Sequence, residues 1–123
     1  MQMRILVLDD DPLICCTIAG YLEDVVEVDV ASSTDQALAL DPSSYSALLV
    51  DIILPGENGA QFIQRLRQDG CSARIIAMSG GSREISGLQA LSVAKVRGAE
   101  AVLFKPFGRE RLLRSLFGNN GQA

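Results

Sequence analysis

The stretch Ile5-Leu6-Val7-Leu8-Asp9-Asp10-Asp11-Pro12 decides the reading of this chain. Four consecutive apolar residues suit a strand covered on both faces, as in a parallel sheet, and three acids follow where such a strand would end. Working outward, apolar stretches predict strands at 4–8, 26–30, 47–50, 74–78 and 101–104. Longer polar–apolar stretches separate them. This βαβα order predicts an α/β fold, a five-stranded parallel sheet with helices on both faces. Val26, Val28 and Val30 alternate with Glu27 and Asp29, which suits a strand with one wet face and puts the second strand at the sheet edge, outside the first.

The helices are marked by apolar residues at helical spacing. Ile14, Ile18, Tyr21 and Leu22 follow Asp11 and Pro12, a predicted N-cap and first-turn pair. Ser33 or Thr34 is placed to cap a short helix holding Ala37 and Leu38. Phe62, Ile63 and Leu66 mark a third helix that stops near Gly70, and Leu112, Leu113, Leu116 and Phe117 mark the last. Between these two, Leu88, Leu91 and Val96 form a ragged stripe for a fourth helix behind Gly80-Gly81-Ser82. No repeat or long linker is seen. The tail from Gly118 to Ala123 is small and polar and is expected to fray or to lead elsewhere.

With 123 residues, 48% of them apolar, the chain fits one domain around a single core. A net charge of −4 keeps such a domain soluble and argues against broad nucleic-acid binding. The apolar runs are far too short for a bilayer span, and Met1 to Arg4 does not open a signal peptide, so a soluble, cytoplasmic protein is expected. Cys15 and Cys16 are adjacent and Cys71 is remote, which gives neither a zinc spacing nor a disulfide framework. They read as reduced and structural. The chain has no histidine, which excludes histidine acid–base chemistry, ligation or phosphorylation within it.

In an open parallel sheet, ligands bind beyond the carboxyl ends of the strands. Strand one ends in Asp9, Asp10 and Asp11, strand three in Asp51, strand four in Ser79, and strand five in Lys105 and Pro106. Gathered on one rim, the carboxylates would repel unless a cation offset them. Hard oxygen ligands without histidine or ordered thiolate favour Mg²⁺ or Mn²⁺. In such a site a carboxylate is a competent nucleophile toward phosphorus, with Lys105 and the Ser79 hydroxyl contacting the other phosphoryl oxygens. Each piece has an ordinary explanation when taken alone: a solvated turn, a loop, a strand ending. Their placement at the ends of separate strands, in order, is what unites them.

The segments Ile5-Leu6-Val7-Leu8-Asp9-Asp10-Asp11-Pro12, Asp51-Ile52-Ile53-Leu54-Pro55-Gly56-Glu57-Asn58-Gly59, Met78-Ser79-Gly80 and Phe104-Lys105-Pro106-Phe107 resemble the signature segments of response-regulator receivers. The resemblance spans essentially the whole chain. It implies a flavodoxin-like strand order 2-1-3-4-5 and phosphorylation of Asp51 by a sensor histidine kinase or phosphotransfer protein. It also implies Mg²⁺ bound directly by Asp10 and Asp51 with the backbone carbonyl of Ile53, and by Asp9 mainly through water. Ser79 and Lys105 would contact the phosphoryl group, and the Lys105–Pro106 bond would be cis. A phosphorylated surface would then bind or release an output protein, and the chain would catalyse only its own phosphorylation and slow dephosphorylation.

Departures from that pattern carry expectations of their own. Val102 stands where the family usually has an aromatic ring, so a rotating aromatic is not the readout. The segment from Ser79 to Gly98 is longer than usual and holds Gly80, Gly81 and Gly87, so reordering of this loop and the fourth helix is the expected readout. Ile53 is apolar and Gly81 has no side chain, so neither orients an attacking water, and slow self-dephosphorylation is expected. Two competitors remain. A haloacid-dehalogenase-type phosphatase also has an Asp-x-Asp motif after its first strand, but Leu13 stands where that family usually places Thr or Ser, and the chain is short. A receiver-like module that takes no phosphate is opposed by the full set Asp9, Asp10, Asp51, Ser79 and Lys105.

Overall fold

In the computed structural model, which describes residues 3–80 and 98–118, all five predicted strands form. They are β1 (Arg4–Leu8), β2 (Glu27–Ala31), β3 (Ala47–Asp51), β4 (Arg74–Ser79) and β5 (Ala101–Phe104). Every neighbouring pair is parallel and the order is β2-β1-β3-β4-β5. The helices among the described residues are α1 (Pro12–Leu22), α2 (Thr34–Ala39), α3 (Gly59–Gln68) and a last helix (Arg109–Phe117). The expected fourth helix on Leu88, Leu91 and Val96, with Gly81, Ser82 and Gly87 before it, lies outside the described residues.

The period-two geometry of the strands divides the core into two layers. Leu6, Leu8, Leu48, Val50, Ile75 and Ala77 point to one face and pack with Ala37 of α2 and Phe62, Ile63 and Leu66 of α3. Ile5, Val7, Leu49, Ile76, Met78 and Leu103 point to the other, against Cys15, Ile18 and Leu22 of α1 and Leu112 and Leu116 of the last helix. β1, β3 and β4 are buried on both sides, which is why they read as unbroken apolar runs.

β2 is an edge strand, as its alternation predicts, but its faces are not simply dry and wet. Val30 is 45% exposed, because α1 does not extend over it. Asp29, on the supposedly wet face, is half-buried: its Oδ2 accepts from the Tyr45 hydroxyl at 2.7 Å and from Arg4 at 3.2 Å. The Arg4 guanidinium lies 4.4 Å from the Tyr45 ring centroid, so a small polar cluster covers that side of the edge.

Helix boundaries follow local chemistry. The Asp11 carboxylate accepts from the Leu13 amide at 2.9 Å, and Pro12 opens α1. Of the two residues able to cap α2, Ser33 does so, accepting from Gln36 N at 3.1 Å. α3 ends at Gln68, followed by Gly70 at φ +91°. In the last helix Leu112 and Leu116, four apart, face the sheet, whereas Phe117 is turned off that stripe and is 46% exposed.

The chain re-enters the described structure under the guanidinium of Arg67. This side chain donates to the carbonyls of Gly98 (3.0 Å), Cys71 (2.8 Å) and Ala73 (2.7 Å) and to Glu100 Oε1 (2.7 Å). The same Glu100 oxygen accepts from Ile75 N at 2.8 Å. One arginine thus ties α3 to the starts of β4 and β5, satisfying three carbonyls that neither sheet nor helix would reach.

At the opposite end of the sheet, Ile53–Leu54 and Glu57–Asn58 form a two-residue antiparallel ladder before α3. Asn58 Oδ1 caps the helix, accepting from Ala60 N (2.9 Å) and Gln61 N (3.2 Å). Gly59 N donates to Ile52 O at 3.0 Å, and a Cβ on Gly59 would overlap the Asp51 carbonyl oxygen and lie 2.5 Å from Ile52 Cα. Both contacts are backbone and have no side-chain freedom to yield. Gly59→Ala is therefore expected to destabilise the fold by about 1–3 kcal/mol, as overpacking does. Urea unfolding with an unshifted midpoint would contradict this close approach.

Candidate functional site

Strand register assembles the site. Leu8 pairs with Val50, so Asp9, just beyond β1, and Asp51, the last residue of β3, stand side by side at the carboxyl end of the sheet. Ser79 pairs with Phe104, and Lys105 N donates to Ser79 O at 2.7 Å, which places Lys105 at the same rim two strands from Asp51. Its side chain reaches back across β4. The ammonium lies 2.8 Å from Asp9 Oδ2 and 3.3 Å from Asp51 Oδ2.

The other carboxylate oxygens are held by the backbone. Asp9 Oδ1 accepts from Asp11 N at 2.9 Å and Asp51 Oδ1 from Ile53 N at 3.0 Å. Asp9 and Asp51 are almost fully buried, and Asp10 is exposed. The three carboxylates each offer an oxygen within 4.8 Å of the others. They open on a cavity of about 610 Å³ whose lining includes Ile53, Gly80 and Lys105.

Burial pushes the Asp51 pKa up from 3.8 to about 6; the Ile53 amide and Lys105 pull it down, and the Asp9 charge adds to the rise. Burial opposes the Lys105 charge, but the hydrogen bond it donates to Asp9 and the charges of Asp51 and Asp9 outweigh it, so its pKa is raised. One ammonium therefore faces three carboxylates. This deficit of positive charge, with donors that are all carboxylate oxygens, fits a hard divalent cation held by Asp9, Asp10 and Asp51.

The sequence candidates fall into three groups. Asp9, Asp10, Asp51, Ile53 and Lys105 line one cavity. Ser79 is at the same end of the sheet but is completely buried, and its neighbour Gly80 lines the cavity instead. Asp11 lies on the cavity wall with its side chain engaged in the α1 cap. Val102 is half-buried against the apolar layer beneath α3, and the Lys105–Pro106 bond is cis.

All three cysteines are free. The Cys15 thiol donates to the Asp9 carbonyl at 3.5 Å, and burial, followed by the charges of Asp9 and Asp11, pushes its pKa up to about 11, so it remains a protonated packing group. Cys16, in contrast to the structural reading, is exposed. Residues the sequence reading did not single out also shape the site. Asn58 fixes the start of α3, and its place before a helical run was a readable capping signal. Glu57 Oε1 accepts from Thr34 N at 2.9 Å, tying the loop after Asp51 to α2 across a sequence separation that gives no local signal. Among the described residues, no helix is long and apolar enough to cross a membrane.

Several known proteins are similar to this chain in sequence or fold. The nitrate/nitrite response regulator protein NarL of Escherichia coli K12 is 31% identical over a 119-residue alignment that covers 91% of this chain and 52% of NarL. The chain thus spans about half the length of the relatives it matches in sequence. A CheY-like response regulator receiver domain protein from Methanospirillum hungatei JF-1 superposes with a TM-score of 0.81 at 26% identity, covering 93% of this chain and 90% of that one. A response regulator from Burkholderia pseudomallei, whose crystal structure contains a phosphorylated aspartic acid, a calcium ion and citrate, superposes with a TM-score of 0.82 at 29% identity, covering 98% and 69%. The response regulator receiver domain family matches residues 5–117, and with that match and this fold the chain belongs to the family, a two-component signalling class and not a conventional enzyme.

Proposed function

We propose that this chain is a signalling switch written on at Asp51, which takes a phosphoryl group from a phosphohistidine of a sensor histidine kinase or phosphotransfer protein. The observation that carries this reading is the buried Asp51 carboxylate, oriented by the Ile53 amide and faced by the Lys105 ammonium, at the floor of an acidic cavity. A carboxylate oxygen of Asp51 attacks phosphorus, the P–N bond to the donor imidazole breaks, and its electron pair stays on that nitrogen, which then takes up a proton. The product is an acyl phosphate. Lys105, held charged by its two acidic neighbours, is placed to neutralise phosphoryl oxygens, and Ser79 joins it when its hydroxyl reaches the cavity. A Mg²⁺ or Mn²⁺ ion held by Asp10, Asp51 and the Ile53 carbonyl, and by Asp9 through water, would supply the remaining charge neutralisation. The Burkholderia relative with its phosphorylated aspartate and calcium ion supports the same assignment.

Incubation with acetyl phosphate or phosphoramidate and Mg²⁺, followed by intact mass, is expected to show one added phosphoryl group that is lost in Asp51→Asn. No gain in the parent chain would leave a receiver-like module that takes no phosphate, and turnover of a phosphomonoester would indicate a phosphatase of the haloacid-dehalogenase type.

Ile53 is 43% exposed at the cavity mouth and apolar, so it cannot orient an attacking water. The acyl phosphate is accordingly expected to persist for minutes or longer once the donor is removed. A decay within seconds, followed by mass or by radiolabel, would refute this role for Ile53.

The raised pKa of Asp51 also has a sign that stability measurements read directly. Because the folded value, about 6, lies above 3.8, ionising this group opposes folding. Stability is unaffected by it below pH ~4 and falls by on the order of 2–3 kcal/mol as pH rises through ~6. In chelator, Asp51→Asn is expected to unfold at higher urea than the parent at pH 7 and to lose that advantage near pH 4. Equal midpoints at both pH values would show that burial of Asp51 costs nothing.

A further inference from the structure

Charge is divided along this chain in a way the phosphoryl site does not use. Up to residue 64 the sequence has one basic side chain, Arg4, and eleven acidic ones; after it, ten are basic and four acidic. The sheet order puts β2 and β1 from the acidic half at one edge and β4 and β5 from the basic half at the other, while α1 and the last helix meet over one face, where Arg109 Nε donates to Tyr21 O at 3.0 Å.

Each edge has an incompletely covered apolar surface in the same helical layer. At the acidic edge a groove of about 350 Å³ runs between α1 and β2, lined chiefly by Pro12, Cys16, Ala19 and Val30. Asp9 and Asp10 lie at one end, and Glu23 continues the α1 face one turn beyond Ala19, followed by exposed Asp24. At the basic edge the last helix exposes the stripe Glu110, Leu113, Arg114 and Phe117, with exposed Arg111 beside it. Arg114 pairs with Glu110 at 2.9 Å, and Arg111 makes no ion pair among the described residues.

We propose that the basic last helix of one molecule docks into the acidic α1–β2 groove of a second copy, with Phe117 and Leu113 against Val30 and Ala19 and with Arg111 and Arg114 facing Glu23 and Asp24. The occupant is another copy because each surface has its complement in charge and polarity on the same chain, while within one molecule the last helix meets α1 at Tyr21 and the groove opens on the β2 side of α1, so the two cannot join. Such a contact is heterologous and leaves one free surface at each end, so it propagates as an open row. Exposed ion pairs contribute little each, so the association is weak and sensitive to salt.

Sedimentation of the unphosphorylated chain tests this. At sub-millimolar concentration in about 0.02 M salt, the weight-average mass is expected to rise with concentration past that of a dimer, and to fall to that of one chain in about 0.5 M salt. Arg111→Glu with Arg114→Glu blocks one surface, and Ala19→Gln fills the other without changing charge. Each variant alone is expected to stay single, whereas an equimolar mixture forms pairs that stop at two, because one good surface of each remains. A parent chain that stays single in low salt overturns the proposal, even if the last helix then binds an acidic peptide or a nucleic acid. So does an Ala19→Gln chain that associates like the parent, a mixture that fails to pair, or a parent dimer that does not extend.

Discussion

The ammonium of Lys105, held between Asp9 and Asp51, is the interaction on which the carboxyl end of this sheet depends. Two almost fully buried carboxylates on adjacent strands would not remain close without a counter-charge. Neighbouring strands are about 4.8 Å apart, so a residue on β5 must span close to twice that to act at β3. A lysine does so with its four-carbon stem, which carries the ammonium to both carboxylates. The same stem lets its compact ammonium meet one oxygen from each acid, where a planar guanidinium would favour a bidentate grip on one.

The bridge is nevertheless incomplete as electrostatics. One positive charge against three carboxylates leaves the cavity negative, and the upward push on Asp51 expresses that burial is compensated only in part. In such a site, added positive charge, or conversion of Asp51 to a differently charged species, changes the local electrostatic balance. The backbone amides of Asp11 and Ile53 hold the remaining oxygens of Asp9 and Asp51 in place.

Much of this was legible in the sequence. The strands are recoverable nearly to the residue because β1, β3 and β4 are buried on both faces and so carry unbroken apolar runs, and because acids and a lysine follow directly where the sheet stops. What escaped depends on proximity and not on pattern. Gly59 is required by a backbone passing under it, and no spacing rule reports that. Asp29 reads as a solvent-facing residue until Tyr45 and Arg4 are brought over it from other elements. Phe117 continues an apolar stripe in the sequence, yet lies where the helix no longer faces the sheet. Ser79 was placed at the correct end of its strand, but its depth below the cavity was not a property of its neighbours in sequence.

The connection between β4 and β5 is anchored at both ends by different chemistry. At the end beside the acidic cavity, Lys105 N donates to Ser79 O, and Gly80 lines the cavity. At the far end, Arg67 holds the Gly98 carbonyl and Glu100, and through Glu100 the Ile75 amide. The far anchor is a network of charge-assisted hydrogen bonds from one half-buried arginine, and it shares no residue with the acidic cavity. The near anchor, by contrast, shares Lys105 with Asp51. Aliphatic Val102 is packed in the layer under α3, so no ring stands at that position to swing, and Ser79 and Gly80 are the described residues that lead from the cavity toward the connection.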